Sequence, residues 1–346
     1  MEGLIKKTGK FLRRIELEQI LKEISRIEYS TIKTNKKVEY INLEVAFDIE
    51  STSTYINPDE KFSFMYLWTI GFKDSNYVYH GRTWEEFIEL IQSLSIFFNL
   101  SPSRRLVIYV HNLGYEFQFM RKYLEWEEVF SVEARKPIKA VTTTGIEFRC
   151  SYILSGFSLD RLAKNLVYHK IEKLTGNLDY SLIRHSETVL TIEEIDYAIN
   201  DVVIILYYIN EQMNYYKDIS KIPMTNTGRV RRFVRDRCYY SDKSHKKASK
   251  GKYFRYRKLM EDLTLGPKVY KMLTRAFMGG FTHANANYTG KVLEDVTSID
   301  FNSSYPAVML SYPSLKSDGS IEAKRLSTKT RWRNLLVSIA EKRWLY

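Results

Sequence analysis

The chain has 346 residues, of which 44% are hydrophobic and 14% aromatic, enough for two packed units and too apolar for global disorder. Its formal net charge is +12, and Lys221–Arg275, with 17 Lys and Arg against 4 Asp and Glu, accounts for the whole excess; such a stretch suits a phosphate backbone, whose counterions basic side chains release. Cys150 and Cys238 fit no metal spacing or disulfide framework, and the chain has neither a long apolar run nor a signal-peptide core, so a soluble intracellular protein with no membrane partner is expected.

In chain order, Leu17, Ile20, Leu21, Ile24 and Ile27 recur at helical spacing and predict a short amphipathic helix over Glu16–Ile27. Asn42–Phe47 is an apolar, β-rich run that ends at Asp48. Phe64–Phe72 and Tyr77–His80 predict two more strands joined by a Lys-Asp-Ser-Asn turn. Trp84–Leu100 has a helical period, and Arg105–Val110 reads as a fourth strand, which Gly114 is expected to break before a helix from about Tyr115. Ile146–Leu154 is expected as a strand. Ser158–Val167 opens on a capping serine, and Thr191–Tyr216 on a capping box made by Thr191 and Glu194. Three strands, helix, strand, helices is the order of a ribonuclease-H-like α/β fold, a mixed sheet flanked by helices. The basic segment has turn signals and little periodicity, so it reads as a connector, and Val292–Phe301 reads as a further strand.

Acidic residues inside that order carry chemistry. Two-metal hydrolysis of a phosphodiester needs carboxylates that hold two ions about 3.5–4 Å apart. Asp48 and Glu50 in AFDIES stand two apart, so a strand puts both on one face. Tyr197 and Asp201, in YAIND, stand four apart, so a helix puts both on one face. Glu116 in HNLGYEF adds a carboxylate at the start of a helix. Hard oxygen ligands suit Mg²⁺ or Mn²⁺, two ions per site, and a tyrosine beside them can orient the attacking water.

These motifs resemble those of the protein-primed family B DNA polymerases of phages and linear plasmids. FDIES is similar to that family's first exonuclease motif, which implies metal ligands at Asp48 and Glu50 and a substrate contact at Ser51. HNLGYEF is similar to the second, implying that His111, Asn112 and Tyr115 touch single-stranded DNA and that Glu116 holds metal, although the family has aspartate there. YAIND is similar to the third, giving Tyr197 the water and Asp201 the metal. CSYIL resembles the family's serine–leucine element, so Ser151 becomes a strand ligand, with Tyr152 replacing leucine. Lys173 resembles a lysine that assists catalysis near the scissile phosphate, and reads equally as an ordinary surface lysine.

Further on, RAFMGGF resembles an aromatic-x-Gly-Gly element, implying template contacts at Phe277, Gly279 and Gly280. SIDFNSSYP resembles the first palm motif, which implies metal at Asp300 and the incoming deoxynucleoside triphosphate at Phe301, Ser303, Ser304 and Tyr305. The resemblance divides the chain into an N-terminal helical extension (1–40), a 3′→5′ exonuclease domain (41–218), a basic connector (219–290) and the start of an incomplete palm (291–346). A second palm aspartate is not recognised, so polymerisation would need a second chain. Implied partners are a single-stranded 3′ end, primer–template DNA and a terminal protein primer. Three readings stay open at this point: a polymerase polypeptide with proofreading, a stand-alone exonuclease, and an inactive remnant that binds DNA or terminal protein.

Overall fold

A computed structural model describes residues 17–35, 37–57, 60–75, 77–174 and 182–239, and beyond them 254–255, 257–258, 261–262, 264–276, 285–297 and 304–305. The chain divides into two compact units, Met1–Arg232 and Phe233–Tyr346. The first is built on strands β1 (Ser30–Lys33), β2 (Glu39–Asn57), β3 (Glu60–Phe72), β4 (Val78–Gly81), β5 (Arg104–Val110), β6 (Trp126–Glu133), β7 (Lys136–Thr142) and β8 (Ile146–Cys150). They form one sheet in the order β4-β3-β2-β5-β8-β7-β6, with β1 pairing the start of β2. The pairs β2–β5 and β5–β8 are parallel and the others antiparallel, so the sheet is mixed, as the element order implied.

The helices are α1 (Leu17–Ile24), α2 (Trp84–Phe97), α3 (Leu113–Met120), α4 (Ser151–Ser155), α5 (Leu159–Lys164), α6 (Ile192–Tyr216), α7 (Asn226–Tyr239) and, in the second unit, α8 (Pro267–Ala276). Period-two alternation on β2 splits the core. Val45, Phe47 and Ile49 pack with Phe87, Leu90, Ile91 and Leu94 of α2 and with Ile20 and Ile24 of α1 on one face. Ala46 packs with Val202, Val203 and Leu206 of α6 on the other. Asp48 and Glu50 share the parity of Ala46, so they point toward α6. Both long helices start where expected, because Thr83 and Thr191 each make a capping box with the glutamate three residues on.

Several elements differ from expectation. The strand from Ile146 stops at Cys150, and Ser151–Ser155 coils into α4, which ends on Gly156 at φ 75°. Gly114 does not break a strand: β5 ends at Val110, and Gly114 sits in the first turn of α3, where a Cβ would come within 2.9 Å of the Arg135 carbonyl. The hairpin β6–β7 had no signal in the sequence, since β6 is exposed along most of its length. The basic segment is not a plain connector but carries α7 and α8. Of Val292–Phe301, residues 292–297 form no strand, since no partner ladder reaches them among the described residues. No helix among the described residues is long and apolar enough to cross a membrane.

Candidate metal centre

β2 does not end at Asp48 as expected but runs on to Asn57, and its middle meets the first half of α6 at three carboxylates. One ligand oxygen each of Asp48, Glu50 and Asp201 lie within 4.8 Å of one another. The strand delivers the first two on one face, and α6 delivers Asp201, with Tyr197 one turn earlier. Directly opposite Glu50 the ladder slips: Glu50 pairs with Leu67, Ser51 with Met65, and Tyr66 is the extra residue of a bulge. The carbonyl freed there accepts from Arg82 Nε at 2.6 Å, and Arg82 Nη2 also donates to the carbonyls of His185 and Thr188 in the loop that leads into α6.

Lys173 reaches the trio from a segment without regular structure. Its Nζ donates to both oxygens of Asp201, at 2.7 and 2.6 Å, and sits 4.6 Å from the centroid of the Tyr197 ring. An ammonium therefore lies where cations are wanted, bonded to a carboxylate it partly neutralises.

Glu116 stands outside the trio. It is buried on α3, and its Oε2 has no hydrogen-bond partner among the described residues. The other expected strand contacts surround this place. The Ser51 hydroxyl is hydrogen-bonded to the Tyr115 hydroxyl. His111 Nδ1 lies 3.0 Å from Ser151 Oγ, and the His111 ring meets Tyr152 edge-on at 5.6 Å. Asn112 turns the chain from β5 into α3 in the left-handed region, at φ 75°, which asparagine tolerates better than most residues. Tyr115 and Tyr152 are 44% and 45% exposed. Phe277, Gly279, Gly280, Asp300, Phe301 and Ser303 lie outside the described residues; Ser304 and Tyr305 are exposed.

The electrostatics are those of crowded anions. Burial, then the charges of Glu116, Asp201 and Glu50, push Asp48 well above the ordinary carboxylate range. Burial and the nearby Glu50 do the same to Glu116. Burial also raises Asp201, against the pull of Lys173. Glu50 is pushed up to about 7, mainly by burial and then by Asp201. Burial, and more weakly the charge of Lys173, lower His111 to about 4, so its ring is neutral at physiological pH.

A pH dependence follows with a definite sign. A carboxyl raised in the folded state favours folding fully below its unfolded value of 4.5, and that contribution is lost as pH rises through about 7. In chelator, the melting temperature should therefore fall over this window. Divalent cations bind the deprotonated form, so the gain in melting temperature on adding Mg²⁺ should grow between roughly pH 5.5 and 7.5. Thermal scans with Mg²⁺ or EDTA check this, and a gain equal at both ends of the window would count against a cation at these residues.

The donor set fits hard divalent ions: three carboxylates converge, and a fourth has a buried, unused oxygen. Asn200, beside Asp201 on α6, was not singled out in the sequence. An asparagine inside a helix reads as solvated, and only its 7% exposure marks it.

Among solved structures, the chain is similar to phi29 DNA polymerase complexed with single-stranded DNA, at 18% identity and TM-score 0.50, over 71% of this chain and 41% of that one. It is also similar to phi29 DNA polymerase in a ternary complex with primer-template DNA and incoming nucleotide substrates, at 17% identity and TM-score 0.47, over 72% and 41% of the two chains. A third is the Nibbler EXO domain of Aedes aegypti, at 14% identity and TM-score 0.32, over 57% and 85%. The first of these shows the fold, a ribonuclease-H-like α/β exonuclease fold. The chain spans about two-fifths of the length of the polymerase chains it matches. No family model and no curated protein matches it.

Proposed function

We propose that this chain belongs to a protein-primed family B DNA polymerase, and that its first unit is the two-metal 3′→5′ exonuclease that proofreads single-stranded DNA ends. The observation that carries this reading is the convergence of Asp48, Glu50 and Asp201 within 4.8 Å beside the middle of β2. Asp48, Glu50, Asp201 and Glu116 would hold Mg²⁺ or Mn²⁺. When bound, such ions make a nucleophile of water at neutral pH and neutralise charge on the phosphate.

The chain's own residues divide the remaining work. Tyr197 holds the attacking water through its hydroxyl. Lys173, already poised at Asp201, offers its ammonium to the anionic phosphate. Tyr115 and Tyr152 stack unpaired bases, which every base permits because each has a π face. Ser51, His111, Asn112 and Ser151 give hydrogen bonds along the strand, and the neutral His111 ring can accept or donate without adding charge. For the rest of the chain the proposal is coarser. Phe277, Gly279 and Gly280 would approach template, Asp300 would hold palm metal, and Phe301, Ser303, Ser304 and Tyr305 would take the nucleotide. A terminal protein and a second chain that completes the palm are the proposed partners.

The test is one gel. The purified chain is incubated with a 5′-labelled primer–template, Mg²⁺ and four deoxynucleotides. A primer that shortens with Mg²⁺ and is stable in EDTA is expected. A primer that only lengthens would show that synthesis dominates and that the palm is more complete than proposed. No change with Mg²⁺ or Mn²⁺ would refute the catalytic reading.

A further inference from the structure

The segment from Leu166 to Leu174, which brings Lys173 to the carboxylates, joins no strand or helix. It lies instead along α6, held by one stripe of that helix's side chains. Glu211 Oε1 accepts from the backbone N–H groups of Val167 and Tyr168 at 2.8 and 2.7 Å. The His169 ring stacks on Tyr207 at 4.1 Å, with planes 8° apart, and its Nε2 lies 3.3 Å from Asn210 Oδ1. Asn200 continues the stripe two turns before Tyr207. Its Oδ1 accepts from Leu174 N–H at 3.0 Å, and its Nδ2 donates to the Glu172 carbonyl at 3.1 Å.

Those two bonds grip the peptide on both sides of Lys173. A side-chain amide has the same donor and acceptor as a peptide group, so Asn200 acts like a one-residue partner strand. It is nearly buried, so losing it would leave the Leu174 N–H and Glu172 C=O without that partner in a low-dielectric place. Asn200 also precedes Asp201 directly. One stretch of helix thus fixes the carboxylate and the backbone from which its ammonium partner extends.

We propose that Asn200 is a positioning residue of the exonuclease site, which sets the reach of Lys173 and acts on the reaction only through it. This rests on the exonuclease reading above. The test is a double-mutant cycle with Asn200→Ala and Lys173→Ala, read in kcat and KM on a single-stranded oligonucleotide. Misplacement of a group that aids the reaction by about an ångström costs up to ~10²-fold, so Asn200→Ala alone should lower kcat ~10- to 100-fold with KM within about threefold. In the Lys173→Ala background the same change should cost less than about threefold. An equal loss in both backgrounds would overturn the proposal, because a general structural role predicts additivity.

Asn200→Gln keeps the amide but moves it out by one methylene, and should give a smaller kcat loss. It carries the cycle if the alanine variant does not fold. A second readout needs no turnover: acylation of Lys173 by an amine-reactive ester, followed by mass spectrometry. Its rate should rise ~10-fold in the variant as the ammonium leaves Asp201. Unchanged reactivity in a folded, active variant overturns the clamp. A wild-type chain that cleaves nothing, with reactivity still rising in the variant, overturns the exonuclease reading and leaves the clamp standing.

Discussion

Asp48→Ala combined with Glu50→Ala should abolish nuclease activity, by about 10⁴-fold or more, while single-stranded DNA binding stays within about threefold of wild type. The separation is expected because the two carboxylates face the candidate metal centre, whereas all the groups proposed to hold the strand except Ser51 lie on α3, α4 and the turn before α3. The melting temperature in chelator should not fall. Both carboxyls are raised above their ordinary values, Asp48 by burial and then by Glu116, Asp201 and Glu50, and Glu50 by burial and then by Asp201, so removing them relieves repulsion in the cation-free protein. Anisotropy of a labelled oligonucleotide in EDTA, beside a nuclease assay in Mg²⁺, reads both quantities. Binding lost together with cleavage would sink the assignment of Asp48 and Glu50 as metal ligands.

Glu147→Ala should cost about 3–5 kcal/mol of stability, the range for breaking a buried ion pair from one side. Glu147 is fully buried on β8 and takes Arg149 Nε at 2.7 Å and Arg105 Nη1 at 2.9 Å. Burial alone would push its carboxyl up, but Arg149 and Arg105 more than offset this and hold it below the ordinary range. Alanine would leave Arg149, itself 3% exposed, with a buried charge and no carboxylate, beside the Ile219 carbonyl at 3.0 Å, the Tyr40 ring and Tyr109. The consequence reaches the candidate metal centre, since β5 and β8 are paired here and end at Val110 and Cys150, just before His111 and Ser151. Urea unfolding gives the number, and a loss below about 1 kcal/mol would mean that water or a neighbour takes over the guanidinium.

Much of the candidate site was legible because its residues stand in local periods. Asp48 and Glu50 two apart on a strand, Tyr197 and Asp201 four apart on a helix, and the capping box at Thr191 and Glu194 each need only neighbouring residues. What could not be read depends on contacts between distant segments. The ion pair of Lys173 with Asp201 and the Asn200 bonds join positions 26 to 28 residues apart, which no periodicity encodes. The hairpin β6–β7 was hidden because Val129, Phe130 and Val132 are exposed beside Glu127, Glu128 and Glu133, so no apolar–polar alternation appears. At Cys150–Leu154 an apolar run continued past the end of the strand, and only Gly156 in the left-handed region shows why the chain coils instead.

The packing of α6 over the central strand sets an order of assembly. During synthesis β2 and its hairpin with β3 emerge first and pair locally, which is fast. The face of the sheet carrying Ala46, Val107 and Tyr109, met in part by Leu154, Leu162, Ala163 and Leu166, then stays incompletely covered until Ile192–Tyr216 has left the ribosome and folded back across it. The carboxylates proposed as cation ligands, Asp48 and Glu50 on one side and Asp201 on the other, are brought together only at that last step, after the largest loop-closure cost has been met. A nascent or truncated chain that stops before α6 therefore exposes both an apolar sheet face and an uncompensated pair of carboxylates. It is the species most exposed to aggregation and to chaperone capture.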